Sequence, residues 1–376
     1  MQEIPPSPEI VHPGDQRELP ECAYWVAAKL VNNLGPARIR ILLDHFGSME
    51  MTWQAPEREL RAALDSRTLR EFLTVRGDVD VAAMWDRISF DGTCAVCWTD
   101  VDYPPLLLEI PAPPPVLYYR GQITETDTTA VAIVGTRRAT AYGRDMAYRI
   151  AFDLAKAGVT IVSGLATGVD GVAHRAALEA GGRTLAVLGS GIDVIYPGQH
   201  RDLADRISKQ GAVISDYPLG TQPDRYNFPP RNRIISGLSL GVVVIEAPES
   251  SGALITVNFA AEQGRDAFAV PGPVNAPSSA GCLRIIREGA TMVRSAEDVM
   301  EDLHIHRSSI EPVEQASLPL SSSEHQLLSV MSSQPQHIDD IAAKLGRTIN
   351  DVSGELMVLE LQEMVRNTGG GFYRRT

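Results

Sequence analysis

The sequence predicts an α/β protein on a doubly wound parallel sheet, with a small helical segment before the sheet and a three-helix segment ending in a hairpin after it. Three observations carry this. From residue 130, apolar runs of four to six residues alternate with helical stretches, as in VAIV (131–134), TIVS (160–163), TLAV (184–187) and VVVIEA (242–247). Runs apolar on both faces mark strands covered by helices on both sides. The first three of these runs lead into a glycine loop, at Gly135, Gly164 and Gly189. Ligands in such sheets bind outside the carboxyl ends of the strands, where these loops lie.

Taken in order, residues 1–20 are acidic and proline-bearing without an apolar core, which reads as a disordered tail and not a signal peptide. Residues 21–76 read as a small helical domain, SAM or helix-hairpin-helix-like. Pro36 stands at a first helical position, and Ile39, Leu42, Leu43 and Phe46 mark one face. LGPARIR (34–40) resembles half of a helix-hairpin-helix, with Asn33 where a glycine is usual. Arg38 and Arg40 could touch a phosphate backbone there, or the module could serve packing alone. Residues 77–129 read as a proline-rich connector, its segments 99–110 and 112–123 extended against the next domain. Cys94 and Cys97 form a lone CxxC; zinc needs two further ligands, so they read as plain strand residues. Four cysteines in all fit a reducing compartment.

Residues 130–302 form the doubly wound, Rossmann-like domain. Strands are expected at 131–135, 160–164, 184–189, 212–215, 242–247 and 267–272, with a first helix running to Lys156. Residues 303–322 read as a polar linker. Residues 323–376 read as a winged helix: helices 323–332, 337–345 and 349–363, then a wing through VRNTGGGFYRR. The third helix sets Ile349, Val352, Leu356 and Leu359 on one face and carries Asp351, Glu355, Glu360 and Glu363. Acidic side chains repel DNA, which makes this a protein-contact module, with Arg374 and Arg375 of the wing as its DNA-leaning feature.

The net charge is −13, yet residues 130–302 carry only −1 of it, so a local basic groove is possible in the centre of the chain. The densest candidate is RYNFPPRNRIISGLS (225–239), where Arg225, Arg231 and Arg233 alternate with Tyr226 and Phe228. Pro229 and Pro230 are expected to exclude a helix there. Guanidinium forks match phosphate oxygens, and rings offer stacking faces to bases. The other reading is a loop whose rings pack on the core and whose arginines pair with acids. Arg137 should lie at the sheet rim beside this segment, so that Arg137, Arg231 and Arg233 converge. The first glycine loop is GTR, not the dinucleotide GxGxxG, and no GxxxxGK[ST] occurs. Asp170 and His174 lie near Ser163, but without a GxSxG elbow they read as a helix cap and a packed residue, not catalytic partners. Glu246 could act as a base; the loop ESSGALIT (249–256) binds an anion or orders Arg231. No metal or cofactor constellation is read.

Together GTRRATAYG, SGLATGVDGVAH, AVLGSGIDVIYP, SDYPLG, FPPRNRIISGLS, EAPESSGALIT, GRDAFAVPG and EGA resemble the DNA-processing DprA/Smf family. The match is close over about 100–302 and looser at both ends. The resemblance implies a bacterial cytoplasmic protein that binds single-stranded DNA, forms a homodimer and loads the RecA recombinase during natural transformation, without catalysis. It places DNA contacts on Gly135, Thr136 and Arg137 of the first loop, on Ser163 and Gly164 of the second, and on Arg225, Phe228, Arg231, Asn232 and Arg233. The dimer contact is expected near 253–264. Two departures stand out: Leu283 replaces a usual asparagine, and a second is missing near His200. A related Rossmann-like family, the LOG or lysine-decarboxylase-like nucleotide hydrolases, uses PGGxGTxxE; here APESSGALIT lacks the paired glycines and the cleaving glutamate.

Overall fold

Six helices open the computed structural model: α1 (Glu21–Ala28), α2 (Pro36–Phe46), α3 (Met49–Gln54), α4 (Glu57–Ala63), α5 (Ser66–Asp78) and α6 (Val81–Ser89). The structure describes residues 18–89, 92–305, 322–332, 335–361 and 364–375. The expected tail and linker therefore lie largely outside the described residues. Helix α2 starts at Pro36, where a missing N–H costs nothing. Asn33 takes φ +63, the left-handed backbone for which glycine is usual. Arg38 pairs with Asp65 at 3.1 Å and Arg40 lies over the Trp98 ring.

Cys94 and Cys97 do lie in a strand, β1 (Cys94–Cys97), but two expectations for 77–129 are corrected: residues 81–89 are helical, and the segment 112–123 contains a strand paired into the main sheet, β2 (Val116–Gly121). Leu106 and Leu107 lie in the short α7 (Pro105–Leu108). Alternation over four to six residues is too short to separate a paired edge strand from extended packing. Asp127 fastens this region to the sheet: it accepts from Arg183 at 2.9 Å and 3.0 Å, from Thr160 Oγ1 at 2.9 Å and from the Thr124 N–H at 2.9 Å.

The doubly wound part runs β3 (Ala130–Val134), α8 (Ala141–Lys156), β4 (Thr160–Ser163), α9 (Val169–Glu179), β5 (Thr184–Val187), α10 (Arg201–Gln210), β6 (Ala212–Ser215), α11 (Phe228–Gly237), β7 (Gly241–Val244), α12 (Ala253–Glu262), β8 (Asp266–Ala269), α13 (Ala280–Arg287), β9 (Thr291–Met292) and α14 (Ala296–Asp302). The sheet order is β1-β2-β6-β5-β4-β3-β7-β8-β9. Strands β3 to β9 pair in parallel, and β1 and β2 join antiparallel beyond β6. Alternate residues of β3 explain the layers. Ala132 and Val134 pack with Ile234 and Ile235 of α11 and Val257 of α12, while Val131 and Ile133 pack with Ile150 of α8 and Ala173 of α9. The chain steps outward from β3 to β6, then returns to β7 on the other side of β3. That reversal opens a crevice at the carboxyl ends of β3 and β7.

The structure divides into two compact units, Met1–Ser308 and Ser309–Thr376. In the second, α15 (Ser322–Val330), α16 (Ile338–Leu345) and α17 (Ile349–Leu361) pack with a small sheet of β10 (Gln336–His337), β12 (Phe372–Arg375) and β11 (Val365–Gly369). Leu327, Ile341, Val352, Leu356 and Leu359 form its core, which is the winged-helix arrangement. Glu355 does not stand free on α17, since Arg347 grips it at 2.6 Å and 2.9 Å. No helix among the described residues is long and apolar enough to cross a membrane.

Candidate nucleic-acid interface

The segment 225–239 is not an extended loop. Helix α11 begins at Phe228, with Pro229 and Pro230 in its first turn. Proline is disfavoured inside a helix because it lacks an N–H, but first-turn N–H groups have no intrahelical acceptor, so the two prolines start this helix instead of breaking it.

That start aims Arg231 back under the sheet rim. Arg231 is 4% exposed, and its Nη1 donates to the carbonyl of Gly164, just past β4, at 2.8 Å, and to that of Val187, the last residue of β5. One guanidinium thus covers the carboxyl ends of two neighbouring strands. A Cβ on Gly164 would lie 2.4 Å from that guanidinium, so any larger residue there would displace Arg231 from its two carbonyls. Burial pulls the Arg231 pKa down to about 10, opposed by Asp170, and the group stays charged at neutral pH. Asp170 in turn accepts from the Gly164 and Ala166 N–H groups and is pushed up by burial. Leu165, between them, takes φ +58 and is fully buried, a strained conformation held by its surroundings.

Above this layer lies a cleft of about 490 Å³ at the crevice beside β3 and β7. It brings together Gly135, Thr136, Arg137, Arg225, Phe228, Arg231 and Asn232 of the expected residues. Arg137 is exposed, and its guanidinium lies 5.2 Å from the Phe228 ring centre; that of Arg231 lies 5.9 Å away. Thr136 donates its N–H to the Glu246 carbonyl at 2.7 Å, which fixes the GTR loop against the end of β7. Arg225 lies on the ring of its neighbour Tyr226 and hydrogen-bonds its hydroxyl. Asn232 reaches the Gly252 carbonyl at the start of α12. Ser251, of the loop 249–256 expected to bind an anion or order Arg231, lines the cleft, as does Arg138, for which the doubled arginine of GTRR is the available signal.

Three expected residues do not line the main cleft. Arg233 does not converge with the other two arginines: it pairs with Asp216 at 2.8 Å and donates to the Ala112 carbonyl at 2.6 Å. Two residues along a helix turn the side chain by about 200°, so Arg231 and Arg233 must face apart. Ser163 is wholly buried and donates to the Ile133 carbonyl at 2.6 Å. Gly164 is buried beneath Arg231, offering its carbonyl inward. Among the other candidates, Glu246 accepts the Thr140 N–H at 2.8 Å and so caps α8. Cys97 meets not Cys94 but Cys22 and Asp100, their sulfur and carboxylate atoms within 4.8 Å of one another; the hydrogen bond with Cys97, and then burial, keep the Cys22 side chain a thiol.

His174 and Asp170 do not form a catalytic pair. Thr184 Oγ1 donates to the Ile161 carbonyl and therefore accepts from His174 Nδ1 at 2.7 Å, which leaves Nε2 buried without a partner. Burial, helped by nearby His200, Arg175 and Arg231, lowers the His174 pKa from 6.5 to about 3. The unfolded chain takes up this proton below 6.5 and the folded chain refuses it. The resulting stability is complete above pH 6.5 and is lost as pH falls towards 3. Histidine NMR at pH 5 is expected to show a neutral His174 with an Nδ1 proton; a charged ring in the folded protein would contradict this packing.

Comparison with known proteins agrees with this architecture. Residues 94–304 match the family model of DNA recombination-mediator protein A, and residues 311–371 that of the DprA winged helix domain. Protein Smf of Synechocystis is 34% identical over 94% of this chain and 99% of its own length. The X-ray structure of DNA processing protein A from Streptococcus pneumoniae superposes with a TM-score of 0.67 at 35% identity, covering 76% of this chain and 99% of that one. DNA processing protein A from Helicobacter pylori, described for its single-stranded DNA binding mode, gives 0.51 at 29% identity over 56% of this chain and 95% of its own. The chain belongs to the DNA recombination-mediator protein A family, whose members are named DprA or Smf.

Proposed function

We propose that the protein is a non-catalytic, cytoplasmic single-stranded DNA-binding protein that forms a homodimer and loads RecA recombinase onto incoming strands. The observation that carries the reading is the cleft in which Arg137 and Arg231 flank Phe228 at the carboxyl ends of the strands. Exposed Arg137 is the phosphate contact, with Arg138 and Arg225 along the same rim. Buried Arg231 contributes positive potential from below. The family and the Helicobacter relative support a single strand as the ligand. Nucleotide hydrolysis is the less favoured reading, because Glu246, the carboxylate nearest such a role, is engaged in capping α8. Loading of RecA rests on the family resemblance, and RecA filament assembly on strands coated with this protein tests it.

Removing an arginine that neutralises one phosphate should flatten the single-strand salt dependence by about 0.7. Arg137→Ala is expected to do this without changing Tm. Arg233→Ala is expected to lower Tm and leave the slope of the folded protein alone, since it breaks the Asp216 pair. Unchanged slopes in both Arg137→Ala and Arg225→Ala would overturn the reading.

The winged helix is proposed as a protein contact, and the dimer contact is placed on α12, near 253–264. Deleting 323–376 is then expected to leave single-strand affinity and a dimeric mass nearly unchanged. A large loss of affinity would make the winged helix part of the DNA site, and a monomeric mass at micromolar concentration would remove the dimer.

A further inference from the structure

One aromatic side chain beside the cleft has no role that the sequence assigns. Tyr196, in the loop between β5 and α10, is 44% exposed. Its ring centre lies 5.9 Å from that of Phe228, with the planes tilted by 36°. The two rings, with Arg137 and Arg231, line a small recess beside the main cleft. They are not equally available. The guanidiniums of Arg137 and Arg231 lie over Phe228, and its edge is set against Gly189, where a Cβ would come within 2.7 Å of the ring. Phe228 is thus largely covered. A base cannot slide between the two rings either: stacking on both sides needs roughly 7 Å between them, twice a carbon contact distance. Tyr226 is more exposed, but Arg225 lies on its ring at 4.7 Å and it lines neither the cleft nor the recess.

We infer that Tyr196 is the base-stacking platform of the cleft: a nucleobase of a single strand lies on the outer face of the Tyr196 ring, Phe228 braces that ring from behind, and Arg137 takes the adjoining phosphate. The inference rests on the single-strand reading and adds to it the atom group that meets the bases. It changes the role of Phe228 from stacking surface to support for both Tyr196 and Arg137.

The test compares wild type, Tyr196→Ala and Tyr196→Phe on an oligothymidylate, on the same oligomer with abasic residues, and on one carrying 2-aminopurine. Tyr196→Ala is expected to weaken oligothymidylate binding roughly 5- to 100-fold at unchanged salt slope. Tyr196→Phe should bind like wild type, and all three should bind the abasic strand alike. Quenching of 2-aminopurine on binding should be present in wild type and in Tyr196→Phe, and lost in Tyr196→Ala. The exposed position predicts an unaltered Tm for both variants. Equal affinity and equal quenching in Tyr196→Ala would overturn the inference, as would an equal loss on the abasic strand, which would mean that the ring holds backbone or fold. Either result leaves the single-strand reading standing. Wild type that binds none of the strands would remove that reading and this inference together.

Discussion

The cleft depends on one buried guanidinium. Arg231 reaches from the first turn of α11 to the carbonyls at the ends of β4 and β5, and the carboxyl of Asp170 opposes the cost of burying its charge. Parallel strands leave such carbonyls pointing outward, and a single planar donor satisfies two of them while tying α11 to the sheet. Removing Arg231 would leave the Gly164 and Val187 carbonyls buried without this donor, and each unsatisfied buried group costs about 1–3 kcal/mol. This arginine therefore sets the position of Phe228, which begins the same helix, and through Phe228 the ring neighbours Arg137 and Tyr196. Gly164 and Gly189 are the matching absences, since a methyl group at either would strike the guanidinium or the ring.

The arginines of the 225–233 segment thus divide into unlike roles. Arg231 builds the floor, Arg233 fastens α11 to Asp216 and to the connector carbonyl of Ala112, and Arg225 stays on the surface. Arg137, from a different loop, is exposed on the Phe228 ring. A basic stretch counted by composition alone would assign all of them to phosphate. Burial and partner geometry separate those that hold the protein from those that can meet a ligand.

Much of the fold was legible because apolar runs such as VAIV and AVIS have few other uses, and the glycines after β3, β4 and β5 marked the face where the cleft opens. What escaped reading has physical causes. Pro229 and Pro230 suggested an irregular segment, but proline in a first turn starts a helix. Strand β2 is short, and its antiparallel pairing with β1 and β6 leaves no periodicity to separate it from an extended packing segment. The Arg233–Asp216 pair spans 17 residues and the Arg183–Asp127 pair 56, distances over which charge partners cannot be matched without the fold. Tyr196 reads as an ordinary loop residue until Phe228 is found beside it.

The central claim is that a single strand runs over the carboxyl ends of the strands and not over the winged helix. Photo-crosslinking of an oligomer with 5-iododeoxyuridine at each position in turn, followed by peptide mass spectrometry, tests it most directly. The account predicts adducts confined to residues 135–138, 196–197 and 225–232. Adducts concentrated in residues 323–376, or on the opposite, amino-terminal ends of the strands, would contradict it.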